Sequence, residues 1–162
     1  NKYTWFPLYA ILVGAMIMKY KWEGVRMVLL LILIIVACDQ LTSGFMKPFF
    51  ERLRPCHHPG IADQVHLVKG CGGQYGFASS HAANTFGFAT GIWLLLRNWS
   101  QLFIWGFAWA GTVSYSRIYV GVHYPLDIVV GGLLGVILAI LFCRVYWHFK
   151  EPLLKVLPPQ YH

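Results

Sequence analysis

Apolar residues along this chain gather into long runs, each ending in a short cluster of aromatic, basic or helix-breaking residues. A helix that crosses a bilayer takes about 20 mainly apolar residues, within a range of roughly 17 to 25. Five runs fit that length: about Thr4 to Tyr20, Gly24 to Met46, Ser79 to Leu96, Ser100 to Tyr119 and Tyr124 to Trp147. The second is expected to stop at Pro48, the third to follow the glycine-rich entry Gly70, Gly72, Gly73 and Gly76, and the fifth to start with Pro125 in its first turn. The first is short, leaning on Trp5, Lys19 and Tyr20 to reach the interfaces. A cleaved signal peptide is its alternative reading, but a basic start is missing and Lys19-Tyr20-Lys21 makes a poor cleavage site. Three connections are very short. The stretch from Lys47 to Ala78 is long, polar and histidine-rich, and function should concentrate there. The tail from Glu151, with Pro152, Pro158 and Pro159, reads as irregular.

Composition sharpens the picture. The 162 residues are 57% hydrophobic and 12% charged, against about 45 to 50% and about 25% in soluble domains. The expected fold is therefore all-α, a polytopic transmembrane helical bundle forming a single domain over 1–162, with the loop 47–78 outside the cytoplasm. Scarce charge and scattered cysteines exclude disorder, collagen, a coiled coil and a disulfide mini-scaffold.

The net charge of +7 would suggest nucleic acid in a soluble protein. No basic face interleaved with stacking aromatics is present, and the cations sit at the ends of apolar runs, where lipid head groups and orientation account for them. Five crossings place the long loop and the connection between the fourth and fifth helices on one face. The other face collects seven cations: Lys19, Lys21, Arg26, Arg97, Arg144, Lys150 and Lys155. Lys2, Arg52 and Lys69 remain on the loop face once Lys47, Arg54 and Arg117 are set aside as site residues. The positive-inside rule then turns the loop face outward. The expected location is a bacterial inner (plasma) membrane with the site facing the periplasm or exterior.

Three polar clusters stand at membrane boundaries, all on that same face. They are K-P-F-F-E-R-L-R-P from Lys47 to Pro55, A-S-S-H from Ala78 to His81, and S-R-I-Y-V-G-V-H-Y-P-L-D from Ser116 to Asp127. Lys47, Arg54 and Arg117 are cations that can converge on one tetrahedral anion. The amino end of the third helix, capped by Ser79 or Ser80, attracts the same anion. His123 and Asp127 are one turn apart, so the carboxylate can hold one ring nitrogen and leave the other free as a nucleophile. His81, on another helix, can donate a proton to the leaving oxygen. Three cationic side chains could neutralise charge as a metal would, so no metal or other cofactor is required.

The ordered set K-x6-R-P, a serine-containing motif ending in His, and S-R-x5-H-x3-D resembles the type 2 phosphatidic acid phosphatase (PAP2) superfamily of membrane lipid phosphatases. That superfamily also includes glucose-6-phosphatase-like enzymes and vanadium haloperoxidases. The resemblance runs from Lys47 to Asp127, about half of the chain, and implies a PAP2/haloperoxidase-like helical core. It further implies that His123 forms a phosphohistidine, Asp127 orients it and His81 is the general acid. Lys47, Arg54, Ser79 and Arg117, with the backbone at Ser80, would hold the phosphate. Where the family usually has P-S-G-H, this chain has A-S-S-H. The family's membrane members commonly have six helices, one more than the runs counted in this chain.

The expected activity is hydrolysis of a lipid phosphomonoester or pyrophosphate, because the pocket lies level with lipid head groups. The expected partners are a phosphorylated lipid and the bilayer, with no nucleic acid. The rivals are a vanadate-dependent haloperoxidase using the same pocket, and a non-catalytic transporter or scaffold that keeps it. Taken singly, cations near helix ends are usually interfacial anchors and a lone histidine at a helix start is usually a cap; the joint pattern overturns both. Asp39, with Gln40, Thr42 and Ser43, reads as packing inside the bundle. Cys56 and Cys71 share the long loop, where a disulfide would persist. A zinc site from Cys56, His57, His58, His66 and Cys71 is the rival there, with a spacing that fits no standard finger.

Overall fold

The computed structural model describes residues 5–65, 67 and 70–156, with side chains as far as 150. His66, Lys2, Lys69 and the side chain of Lys155 lie outside the described residues. Among the described residues six α-helices follow one another: α1 (Phe6–Tyr20), α2 (Trp22–Asp39), α3 (Lys47–Phe50), α4 (Ser80–Leu96), α5 (Gly106–Tyr119) and α6 (Pro125–Val156). Among the described residues the extended pairing is one isolated antiparallel bridge, Leu53 with Tyr75.

Helix α2 does not stop before Pro48. It passes through a π-helical segment, Gln40–Met46, and continues as α3 to Phe50. The N–H of Lys47 reaches back five residues to the carbonyl of Thr42, and this wider turn makes room where a proline ring would otherwise strike the preceding turn. The helix ends instead at Glu51, in the left-handed region (φ 45°), whose N–H donates to the Lys47 carbonyl. At the other end of the chain α6 runs on through Pro152 to Val156, beyond the expected boundary. A proline there removes one helical hydrogen bond with only a turn left to follow.

The helices occupy the five apolar runs, but two stand out by length and composition as able to cross a bilayer alone: Trp22–Phe50 (29 residues) and Pro125–Lys150 (26 residues). The others are shorter: α1 has 15 residues, α4 has 17 and α5 has 14. The reason is visible in α4, which packs between α2, α5 and α6 and is shielded by protein along most of its length. It buries small residues such as Ala82, Ala83, Gly87, Ala89 and Gly91. By contrast α6 turns Leu126, Val129, Leu133, Ile137, Leu141 and Val145 outward, all about half exposed. An apolar stripe at that spacing suits lipid as the surrounding solvent.

Helices α4 and α6 approach closely. A Cβ at Gly131 would strike the Ser79 carbonyl oxygen, and one at Gly135 would strike that of Ala83. Small residues at such crossings let backbones meet inside a membrane. At the end of the bundle away from the long loop, the Glu23 carboxylate of α2 takes Lys150 Nζ at 2.6 Å and the Tyr146 hydroxyl, both from α6, and Arg26 at 3.4 Å.

Candidate active site

The first turn of α4 ties the loop end together. Ser79 caps the helix, its hydroxyl accepting from Ala82 N–H, and its own N–H donates to the backbone carbonyl of Asp127 in α6 at 3.0 Å. Ser79 is fully buried, so its hydroxyl serves the helix end. Ser80 turns toward the π segment. Its Oγ lies 2.9 Å from Thr42 Oγ1 and 2.7 Å from Ser43 Oγ, and accepts from Lys47 Nζ at 2.8 Å. Lys47 Nζ also donates to Ser43 Oγ at 3.0 Å, and Ser43 donates to Asp39 Oδ1 at 3.4 Å. Asp39 thus reaches Lys47 through a serine, and the polar patch in α2 is the anchorage of a site cation.

His123 lies in the short link before α6 and is almost fully buried. Its Nδ1 is 3.4 Å from Oδ2 of Asp127. The same oxygen accepts the N–H of Tyr124 at 2.9 Å, and Oδ1 accepts Arg52 Nη1 at 2.9 Å. A carboxylate can only accept, so the ring nitrogen facing it carries the proton and Nε2 keeps its lone pair. Burial lowers the His123 pKa, and the positive charges of Arg54 and Lys47 push the same way, while the bond to Asp127 opposes them. The net direction is down: the imidazole is held neutral.

A cavity of about 290 Å³ is lined by Arg54, Gly70, Cys71, His81, Arg117, Val120, Val122 and His123. Both histidines and two of the three expected cations therefore face one space. Lys47, Ser79, Ser80 and Asp127 do not line it; Lys47 acts on His123 through its charge, and Asp127 stands behind the ring. Arg54 is fixed by the loop, Nε donating to the Tyr75 carbonyl at 3.2 Å and Nη1 to that of Cys71 at 3.3 Å. Arg117 is braced by the Ser116 hydroxyl, at 3.2 and 3.1 Å. Together these groups make an electropositive pocket with a buried, neutral imidazole in its wall, suited to a tetrahedral oxyanion.

Cys56 and Cys71 are joined as a disulfide, with Cα atoms 6.0 Å apart. Ligand atoms of Cys56, His57 and Cys71 lie within 4.8 Å of one another, but the disulfide occupies both sulfurs and His57 Nε2 sits 3.3 Å from the Gly72 carbonyl. That arrangement leaves no thiolate pair for zinc.

Two contributors escaped the sequence reading. Arg52 pairs with Asp127, and Gly76 packs on the site: a Cβ there would lie 3.1 Å from Arg54 Cγ, 3.4 Å from Asp127 Oδ2 and 3.5 Å from His123 Nδ1. The run of glycines before α4 was legible as an entry, though not as the place where the backbone packs against the back of the His123–Asp127 pair.

The model of the PAP2 superfamily matches residues 27–151. The chain belongs to the PAP2 superfamily. It is 40% identical over 139 residues to a lipid A 4'-phosphatase of Bacteroides thetaiotaomicron, covering 83% of this chain and 61% of that protein. It is 38% identical over 154 residues to a lipid A 4'-phosphatase of Porphyromonas gingivalis, covering 93% and 64%. It thus spans about three-fifths of the length of these relatives. Among solved structures it resembles the crystal structure of a transmembrane PAP2-type phosphatidylglycerolphosphate phosphatase from Bacillus subtilis. That likeness has a TM-score of 0.62 at 24% identity, over 98% of this chain and 73% of the other. The superfamily's transmembrane helical fold is therefore the fold of this chain.

Proposed function

We propose that this chain is a membrane phosphatase that hydrolyses a lipid phosphomonoester or pyrophosphate through a phosphohistidine at His123. The single observation that carries the reading is the shared cavity, with His81, His123, Arg54 and Arg117 in its wall and Asp127 bonded behind His123.

The chemistry follows from the donor set. The phosphoryl oxygens lie among Arg54, Arg117 and Lys47, which neutralise charge and align the phosphorus. The lone pair on His123 Nε2 attacks phosphorus in line, a P–N bond forms and the P–O bond to the lipid breaks. His81, protonated once the negative charge of the bound phosphate offsets the cations around it, gives that proton to the departing oxygen, so the lipid alcohol leaves neutral. Water then attacks the phosphohistidine as His81 takes a proton from it; the P–N bond breaks, inorganic phosphate departs and both rings return to their starting states. Asp127 holds the Nδ1 proton throughout and stabilises the positive ring.

The excess of cations at the opposite helix ends supports a site facing away from the cytoplasm. The two curated relatives favour the 4'-phosphate of lipid A as the first substrate to try. The test is phosphate release in vesicles across lipid A, phosphatidic acid, phosphatidylglycerol phosphate and an isoprenyl pyrophosphate, with His123→Ala as the blank. Labelled phosphate should be trapped on the wild-type chain and not on the variant. Undiminished release by His123→Ala would sink the reading.

A further inference from the structure

Arg52 lies between Lys47 and Arg54, the two cations of the first motif, yet it does not line the cavity. Its guanidinium points instead to the far side of the His123–Asp127 couple, where Nη1 donates to Asp127 Oδ1 at 2.9 Å. Three further restraints hold it there. Its carbonyl accepts the N–H of Gly76 at 2.9 Å, and its guanidinium carbon lies 4.5 Å from the ring centre of Tyr124 and 5.8 Å from that of Phe77. Planar stacking of this kind fixes an arginine where a lysine would swing.

The Asp127 side chain is 0% exposed. A carboxylate taken wholly out of water is costly unless paired and hydrogen-bonded. Tyr124 N–H and His123 Nδ1 serve Oδ2, and among the described residues Arg52 is the one cationic side chain in ion-pair distance of the other oxygen. Arg52 thereby occupies the oxygen that would otherwise compete for the imidazole, and turns its twin toward His123.

We propose that Arg52 is a positioning residue of the phosphatase site: it clamps the buried Asp127 carboxylate so that Oδ2 stays turned to His123 Nδ1, and it makes no contact with substrate. This rests on the phosphohistidine reading above. The groups facing the couple are Arg52, Arg54 and Lys47 from the first motif, His81 from α4 and Arg117 from α5. Removing Arg52 takes away one of those positive charges, so the couple as a whole takes up a proton more readily and at higher pH.

The experiment uses the full chain in nanodiscs, with Arg52→Gln, Arg52→Lys, Asp127→Asn and the double variant R52Q/D127N. Arg52→Gln is expected to lower kcat by roughly ten- to a hundredfold, leave KM within about twofold of wild type, and move the acid limb of the kcat/KM profile to higher pH. Arg52→Lys should keep the limb in place. In the Asp127→Asn background, where no buried carboxylate needs a partner, Arg52→Gln should add no further loss. A raised KM with an unmoved limb would make Arg52 a phosphate ligand, and an equal loss in both backgrounds would make it independent of Asp127; either overturns the proposal. NMR titration of the His123 ring, which requires no turnover, should show proton uptake at higher pH in Arg52→Gln, and an unchanged titration overturns the proposal too. Absence of phosphate release by the wild-type chain on every lipid would count against the phosphatase reading instead, with the ring titration still deciding Arg52.

Discussion

Lys47 Nζ donates to Ser80 Oγ at 2.8 Å, fastening the cation that follows the π segment to the first turn of α4. The hydroxyl stands at the position where the superfamily usually has glycine, so this chain holds its lysine with a side chain that the usual motif lacks. Ser80→Ala removes that acceptor and leaves Thr42 and Ser43 to repack. The expected result is a loss of roughly five- to tenfold in kcat/KM, the scale of one ordinary net hydrogen bond, because Lys47 keeps Ser43 Oγ as a second acceptor; it is measured on the preferred lipid. Ser80→Gly should behave in the same way, because the lost group is the hydroxyl.

The pH profile tests the environment of His123. Burial and the cations of Arg54 and Lys47 disfavour the imidazolium more than Asp127 favours it. The ring therefore stays neutral below the pH at which an ordinary histidine, with a pKa of about 6.5, gains its proton. Activity that depends on a neutral nucleophile is lost only as pH falls through this depressed value, so the acid limb of kcat/KM should lie below the ordinary one. Asp127→Asn removes the opposing influence and shifts the limb lower still. It should also cost on the order of a thousandfold in kcat, because the ring loses its orienting acceptor.

Gly76→Ala probes the packing behind the His123–Asp127 pair. The added methyl would lie 3.1 Å from Arg54 Cγ and within 3.5 Å of both His123 Nδ1 and Asp127 Oδ2, so these groups must give way together. A kcat/KM reduced by at least about tenfold, in a chain whose thermal unfolding is unchanged, is the expected outcome.

The disulfide is tied to the site through Arg54, which donates to the carbonyl of Cys71. Closing a loop of this length contributes about 3 kcal/mol by restricting the unfolded chain. Cys71→Ser, or reduction in mild detergent, should therefore lower the unfolding temperature and reduce kcat/KM, since Arg54, proposed above to align and neutralise the phosphate, loses a backbone partner held in place by the bond.

Chelation separates cationic side chains from a metal as the source of charge neutralisation. Phosphate release should survive EDTA and be inhibited by vanadate, a mimic of the five-coordinate phosphorus. Loss in EDTA with recovery on Zn²⁺ or Mg²⁺ would contradict the scheme.

Much of this was readable along the chain because it rests on local spacing. The apolar runs mark the helices, Pro125 marks the start of α6, and His123 and Asp127 sit one turn apart by number alone. What escaped has no local signature. The pairing of Arg52 with Asp127 bridges 75 positions, and the hydroxyl chain from Asp39 through Ser43 to Lys47 and Ser80 joins two helices. The passage through Pro48 depends on a change of helical register that propensity does not encode. Even the length of α4 was set by its neighbours, since a helix walled in by protein need not be as apolar or as long as one that faces lipid.

The Glu23 knot gains significance from its distance to the chemistry. Along α2 to Lys47 and along α6 back to Asp127 the paths are nearly equal, each about 35 Å by helical rise. The two longest struts are thus pinned at both extremities, and a slip of either by one turn would displace both ends alike. A charge swap at Glu23, at the end of the bundle away from the candidate pocket, should for that reason be felt as misalignment around that pocket.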